Sequence, residues 1–249
     1  MLVVHDGDHA EIETTVRRLA EREPRIRYFH REEVGNIAQA NNYGLERARG
    51  DYIAIMDDDD YWIVPEKLSR QVEFLDTHPD HVACSAGIIL IGEDGREQHR
   101  YLKPEHDRDI RRHILYANPL VHTVSMFRRV AGGKPVRYDE TLAGFQDWDM
   151  WMRLGHFGKF YSFPEYFGCY QVWGGGGTFQ QSKKNTRSAL QIVWRHRNQY
   201  PGFPGALSLA LLYYSYAQLP LAIRRASYTS LARLKRTVFS HRPADQKAQ

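Results

Sequence analysis

IAIMDDDDYW (residues 53–62) runs a stretch of apolar residues into four consecutive aspartates, Asp57 to Asp60. The apolar half reads as a buried strand, as expected in a parallel sheet covered by helices on both faces. The acidic half is harder to place. Adjacent carboxylates repel one another, and burying them unpaired is costly. The stretch is either a solvated turn capping a helix near Pro65 or a site whose charge a bound cation offsets. In open α/β sheets, ligands gather at the carboxyl ends of strands, where these aspartates stand. If the strand persists, alternation puts Asp57 and Asp59 on one side and Asp58 and Asp60 on the other. Two carboxylates on one side make a hard oxygen site for Mg²⁺ or Mn²⁺, with positions left for phosphate oxygens.

Working outward, strands and helices alternate. MLVVHD is a short strand. DHAE (Asp8 to Glu11) resembles a capping box, and Ile12, Val16 and Leu19 then recur at helical spacing. RIRYFHRE alternates as a strand. GNIAQANNYGLERARG reads as a helix with Asn36 as its cap and Gly50 as its stop. PEKLSRQVEFLDTHP is a further helix, with Pro65 in its first turn and Leu68, Val72 and Leu75 on one face. This half is predicted as a parallel α/β unit. HVACSAGIILIGEDGREQHRYL then reads as two strands around a Glu-Asp-Gly turn. QDWDMWMRLGHFG is a short amphipathic helix, KFYSFPEYFGCYQVW is strand-like, Gly174–Gly177 form a loop, and residues 179–199 are helical.

The 249 residues suit one large domain or a domain with an appendage, and 42% hydrophobic residues suffice for a sizeable core. Net charge is +4, with pI near 9.0. The excess is uneven. Residues 224–242 hold six Arg or Lys, with His241, and no acid, while the rest is close to balanced. A nucleic-acid binder would carry basic stripes throughout, so no nucleic-acid partner is expected. Cys84 and Cys169 show no metal-ligand spacing and read as structural thiols of a reducing compartment. No signal-peptide pattern leads the chain. Residues 206–223 are apolar but short for a membrane span and broken by Pro220. With the basic stretch after them, they form either a helix lying on an anionic membrane surface or a helix pair packed on the domain.

From LVVHDGD through GNIAQANNYGLERARGDYIAIMDDDDYWIVPEKLSRQ to FQDWDMWMRL, the sequence resembles the GT-A glycosyltransferases of family 2. The resemblance covers about two thirds of the chain. It implies an α/β GT-A domain over residues 1–200, with a nucleotide-sugar half (1–103) and an acceptor half (104–200). Residues 201–249 would be a helical basic tail. It implies an inverting, metal-dependent transfer from a nucleotide-sugar donor, UDP-linked among the candidates, to a glycan or lipid-linked acceptor. The expected location is cytoplasmic, at the inner face of a membrane, in polysaccharide or glycolipid synthesis. The aspartates match the DxD motif. Asp57 would face the ribose and join the metal, Asp59 would be the metal ligand, and Asp58 and Asp60 would lie against the substrate. Asp6 stands where an aspartate reads the nucleobase, and Asn42 matches a recurrent Asn. Asp147 falls on the catalytic aspartate, with Gln146 replacing a Glu before it, and Arg153 matches a recurrent Arg. Mn²⁺ or Mg²⁺ would stabilise charge on the leaving phosphate. Asp147 would take the acceptor proton. Trp148 and Trp151 would either stack on a sugar or fill the core.

The sequence also departs from the pattern. Asn41 stands where Arg is common, and Trp173 stands where relatives carry a His that can join the metal. His122 either lines the acceptor pocket or is structural. Relatives have an earlier strand that sits between the strands beginning here at Met1 and Asp51. A shortened start, a sheet closed with different pairing, and a degenerate homologue all fit. Two rivals follow. A silent nucleotide-sugar or partner-binding homologue would bind without turnover. A nucleotidyltransferase would release pyrophosphate, but no Gly-rich phosphate loop with a following Lys or Arg is seen at the first strand.

Overall fold

The computed structural model describes residues 1–32, 35–172, 182–220 and Arg224. Strand β1 (Leu2–Asp6), helix α1 (Ala10–Arg22) and strand β2 (Arg27–Arg31) open the chain, with β1 and β2 paired in parallel. The capping box expected at Asp8 does not form. His9 is the N-cap, and its side chain makes no capping bond. No residue of α1 is buried, and Ile12 and Leu19 stand exposed. Helix α2 (Ile37–Arg47) begins as the sequence predicts: Asn36 accepts from Gln39 N, and the Gln39 side chain accepts from Asn36 N.

A six-stranded sheet follows, in the order β3-β7-β5-β10-β4, with β6 paired to β5. Its strands are β3 (Tyr52–Ala54), β4 (Tyr61–Trp62), β5 (His81–Gly92), β6 (Glu97–Tyr101), β7 (Met126–Arg128) and β10 (Lys159–Val172). β5 and β10 are parallel, and the other pairings of this sheet are antiparallel. The β5–β6 hairpin turns at Gly95, whose φ of 73° suits glycine. A short hairpin of β8 (Val130–Ala131) and β9 (Lys134–Pro135) lies apart. Among the described residues β1 pairs only with β2 and β3 only with β7, so two separate hydrogen-bonded sheets lie under α2. Gly44 of α2 packs on Val4 of the first sheet, while Ala38 and Leu45 join the core that includes Ile53 and Ile55.

Helix α3 (Lys67–Thr77) buries Leu75 and packs Val72 on the core as its apolar spacing predicts, but its inward face is rotated away from Leu68. Lys67, Gln71 and Leu75, spaced four apart, are buried, and Leu68 is exposed. Helices α4 (Asp107–His113), α5 (Gln146–Leu154), α6 (Ser182–Arg195) and α7 (Phe203–Gln218) are the remaining named helices among the described residues. The main core gathers Phe127, Phe160, Trp148, Met150, Trp151 and Met152 against Ile192 and Val193 of α6 and Ala206 and Ala210 of α7. Each fully buried large apolar side chain contributes roughly 1.5–3 kcal/mol. These contacts fix α5, and with it the residues at its N-terminus.

Candidate functional site

The aspartates do not continue a strand. β3 ends at Ala54, and Asp60 N donates to Asp57 O at 3.2 Å, closing a turn. The alternation expected of Asp57 to Asp60 is therefore corrected: the four aspartates lie in a turn after the strand has ended, where the two-residue alternation of a strand does not apply. Asp58 and Asp59 are exposed, Asp57 is half-buried and Asp60 is buried. Burial raises the Asp57 carboxyl. His122 opposes that shift, and Asp59, Asp147 and Asp58 add to it. Burial also pushes Asp60 up to about 6, and the nearby Thr123 hydroxyl opposes that shift without closing a hydrogen bond. Asp60 Oδ1 accepts from Gln171 N at 3.3 Å, and its Oδ2 is buried with no partner.

Across from this turn stands the start of α5. Phe145 precedes the helix in a left-handed conformation, with φ of 57°, which swings the chain sharply into Gln146. Asp147 follows in the first turn, where the helix dipole favours an anion. The Asn118 side-chain amide donates to Asp147 Oδ2, and Lys103 Nζ holds the Asn118 carbonyl at 2.6 Å. His122 lies in a 3-10 turn (His122–Val124) fixed from below: Trp62 Nε1 donates to Thr123 O at 2.8 Å, and Gln71 Nε2 donates to Val124 O at 2.9 Å. The His122 ring packs edge-on against Tyr138 and Trp151, each at 5.8 Å. Three tyrosines border the acidic group. Burial, then neighbouring negative charge that includes Asp147, raises the hydroxyls of Tyr101, Tyr138 and Tyr170. Asp57, Asp59, Asp60 and Asp147 all raise the Tyr170 hydroxyl, so the aspartate turn and the start of α5 act on one neighbourhood.

Other predicted residues lie elsewhere. Asn42 is buried and fully used in packing. Its amide donates to Tyr138 O at 3.0 Å and Glu140 Oε1 at 2.7 Å, and its Oδ1 accepts from Tyr138 N at 2.8 Å. Trp148 is buried, with its indole donating to Ile114 O at 2.6 Å, so it is a core residue and not a sugar platform. Arg153 turns to the fully buried Asp149, 2.7 Å away, and to Arg137 O. Helical spacing explains this: four residues separate Arg153 from Asp149. Asp6, at the end of β1, accepts from Gly35 N at 3.0 Å and faces Arg31 at 3.4 Å; none of these bonds reaches the aspartate turn. Trp173 and Gly174–Gly177 fall outside the described residues.

The sequence reading missed Asn118, Thr123 and the three tyrosines, and it left His122 open. An Asn-Pro step at 118–119 is a loop signal that could have drawn attention to Asn118. The tyrosines come from three separate segments and carry no local signal. The carboxylates of Asp57 and Asp59 offer hard oxygens, and a divalent cation would offset both the burial and the neighbouring acids that raise Asp57. Among the described residues no group of three or more His, Cys, Asp or Glu converges to hold a metal. A cation here would complete its shell with substrate oxygens and water.

Known proteins fit this geometry. A mannosyltransferase, PcManGT from Pyrobaculum calidifontis, solved with GDP-Man and Mn²⁺, superposes with a TM-score of 0.59 at 19% identity, over 93% of this chain and 70% of that one. S. aureus TarS 1–349, solved with UDP-GlcNAc, gives 0.61 at 16% identity, over 95% and 68%. These neighbours share the GT-A fold. In sequence, the uncharacterized protein y4gI of Sinorhizobium fredii is 34% identical over 144 residues, 57% of this chain and 15% of that protein. The amylovoran biosynthesis glycosyltransferase AmsE of Erwinia amylovora is 29% identical over 160 residues, 63% and 59%. The chain spans about half or less of the first relatives it matches. The pattern described as Glycosyl transferase family 2 matches residues 1–132, more than half of the chain, and the chain belongs to that family.

Proposed function

We propose that the chain transfers a sugar from a nucleoside-diphosphate donor to a hydroxyl acceptor by a single displacement with inversion. The observation that carries this reading is the pairing of the Asp57–Asp60 turn with Asp147 across one site. Asp147 begins a core-packed helix and is oriented by Asn118, as a base taking the acceptor proton requires. Holding the carboxylate by Oδ2 leaves Oδ1 for the attacking hydroxyl. Asp57 and Asp59 are the residues that would hold Mn²⁺ or Mg²⁺. Such an ion, when bound, supplies positive charge against the leaving diphosphate. Asp60, which accepts from Gln171 N, braces the turn from behind.

A UDP- or GDP-linked donor is supported by the ligands of the two solved neighbours, and a role in polysaccharide assembly by the named role of AmsE. The test is calorimetric titration of UDP, GDP and dTDP with and without Mn²⁺, followed by an assay for nucleoside diphosphate release from the donor that binds. Metal-dependent binding with release supports the transferase. Binding without release under any acceptor supports the silent homologue, a reading that the separation of β1–β2 from β3 favours.

A further inference from the structure

Helix α7 is built inside out. Its buried face consists of the small residues Ala206, Ala210 and Ala217, while Leu211, Leu212 and Leu219 are 48%, 64% and 40% exposed. At 100° per residue the three leucines fall on one side, flanking Ser208 and Ser215. Exposing large apolar side chains while burying alanines forgoes burial energy, so a contiguous patch of this kind marks a contact surface.

Charge says what the surface meets. Residues 1–165 carry 22 Lys and Arg against 29 Asp and Glu, whereas residues 166–249 carry 12 against one, Asp245. The acidic residues 1–165 and the basic C-terminal third are opposite in sign. Exposed leucines followed by an acid-free basic sequence, residues 224–242, match the chemistry of an anionic lipid surface. Among the described residues no helix is long and apolar enough to cross a membrane. We propose that the Leu211–Leu212–Leu219 face of α7 seats the chain on the surface of an anionic bilayer. This stands independently of the donor-site reading.

The experiment is flotation of the full chain with vesicles of phosphatidylcholine alone or with a quarter phosphatidylglycerol. Leu211→Ser/Leu212→Ser is compared with the parent after circular dichroism and the melting temperature confirm that both fold alike. The expected result is capture by the anionic vesicles at least about tenfold stronger than by neutral ones, weakened by about 0.5 M NaCl, and lost in the double variant. Equal flotation of parent and variant, or none for either, overturns the proposal. A lipid-free dimer that the variant splits would assign the face to a second copy and also overturn it. Leu212→Cys guards against coverage by the chain itself, since Cys84 and Cys169 are buried. A thiol reagent should modify the new cysteine rapidly without vesicles and slowly with anionic ones. Slow modification in both conditions overturns the proposal.

Discussion

Asn118 donates its side-chain amide to Oδ2 of Asp147, and Lys103 anchors the Asn118 carbonyl behind it. The candidate base is therefore held by a neutral donor, which fixes its orientation without adding a positive charge beside it.

Two substitutions separate chemistry from positioning. Asp147→Asn removes the proton acceptor and should lower kcat by roughly 10²–10⁴-fold, with donor binding unchanged. Asn118→Ala keeps the carboxylate but frees its rotation, so kcat should fall by about tenfold with KM for the donor unchanged. Steady-state kinetics measure both. Full activity in Asp147→Asn would remove this residue from the mechanism.

The aspartate turn should be the seat of cation dependence. Asp59→Ala should abolish Mn²⁺-dependent nucleotide binding in a calorimeter. Asp6→Ala, at the end of β1 in the other sheet, should leave direct Mn²⁺ binding intact. If Asp59→Ala binds nucleotide and Mn²⁺ as the parent does, the metal assignment fails.

Asp149 governs acid stability. Burial raises its carboxyl, but hydrogen bonds from His196 and Arg153, and the charges of Arg153 and Arg195, outweigh this and hold it near 2 against an ordinary 3.8. A depressed folded-state value contributes stability that is complete above about pH 4 and is lost as pH falls toward 2. The linked contribution is about 2 kcal/mol. Asp149→Asn should flatten the dependence of urea midpoints on pH in that window. It should also cost roughly 3 kcal/mol at neutral pH, because Arg153 and Arg195 lose their buried anionic partner.

Lys67 has the opposite signature. Burial lowers its amine to about 8 from 10.5, although Nζ donates to Gln71 at 2.7 Å and lies 3.9 Å over the Trp62 ring. The unfolded chain binds the proton more tightly, so stability should rise as pH climbs from about 8 to 10.5. Lys67→Met should erase that rise in thermal melts. A parent protein with a flat profile across this window would show that the amine is not desolvated.

Much of this was legible because its causes are local. Asn36 and Gln39 announce the start of α2, Glu93-Asp94-Gly95 the β5–β6 turn, and the apolar residues before Asp57 the strand that delivers the acidic turn. The failures have tertiary causes. Lys67 is drawn inside α3 by Trp62 and Gln71, contacts that outrank the exposed Leu68. Trp148 and Arg153 sit within two turns of Asp147 in sequence, yet the helix rotates one into the core and the other toward Asp149. Asn42 serves the segment near Tyr138, 96 residues away. No spacing rule encodes such a partner.

The division of the strands into two ladders has a kinetic meaning. β1 and β2 share five residue pairs, and the helix over them buries nothing completely, whereas β5 lies between three partners. Local opening is easiest where few apolar contacts resist it. Backbone amides of Leu2–Asp6 and Arg27–Arg31 should therefore exchange with deuterium long before those of Val82–Ile88. A ligand bridging the two ladders would slow the early set alone. Proton exchange at the first thirty residues would then report occupancy in the absence of any turnover.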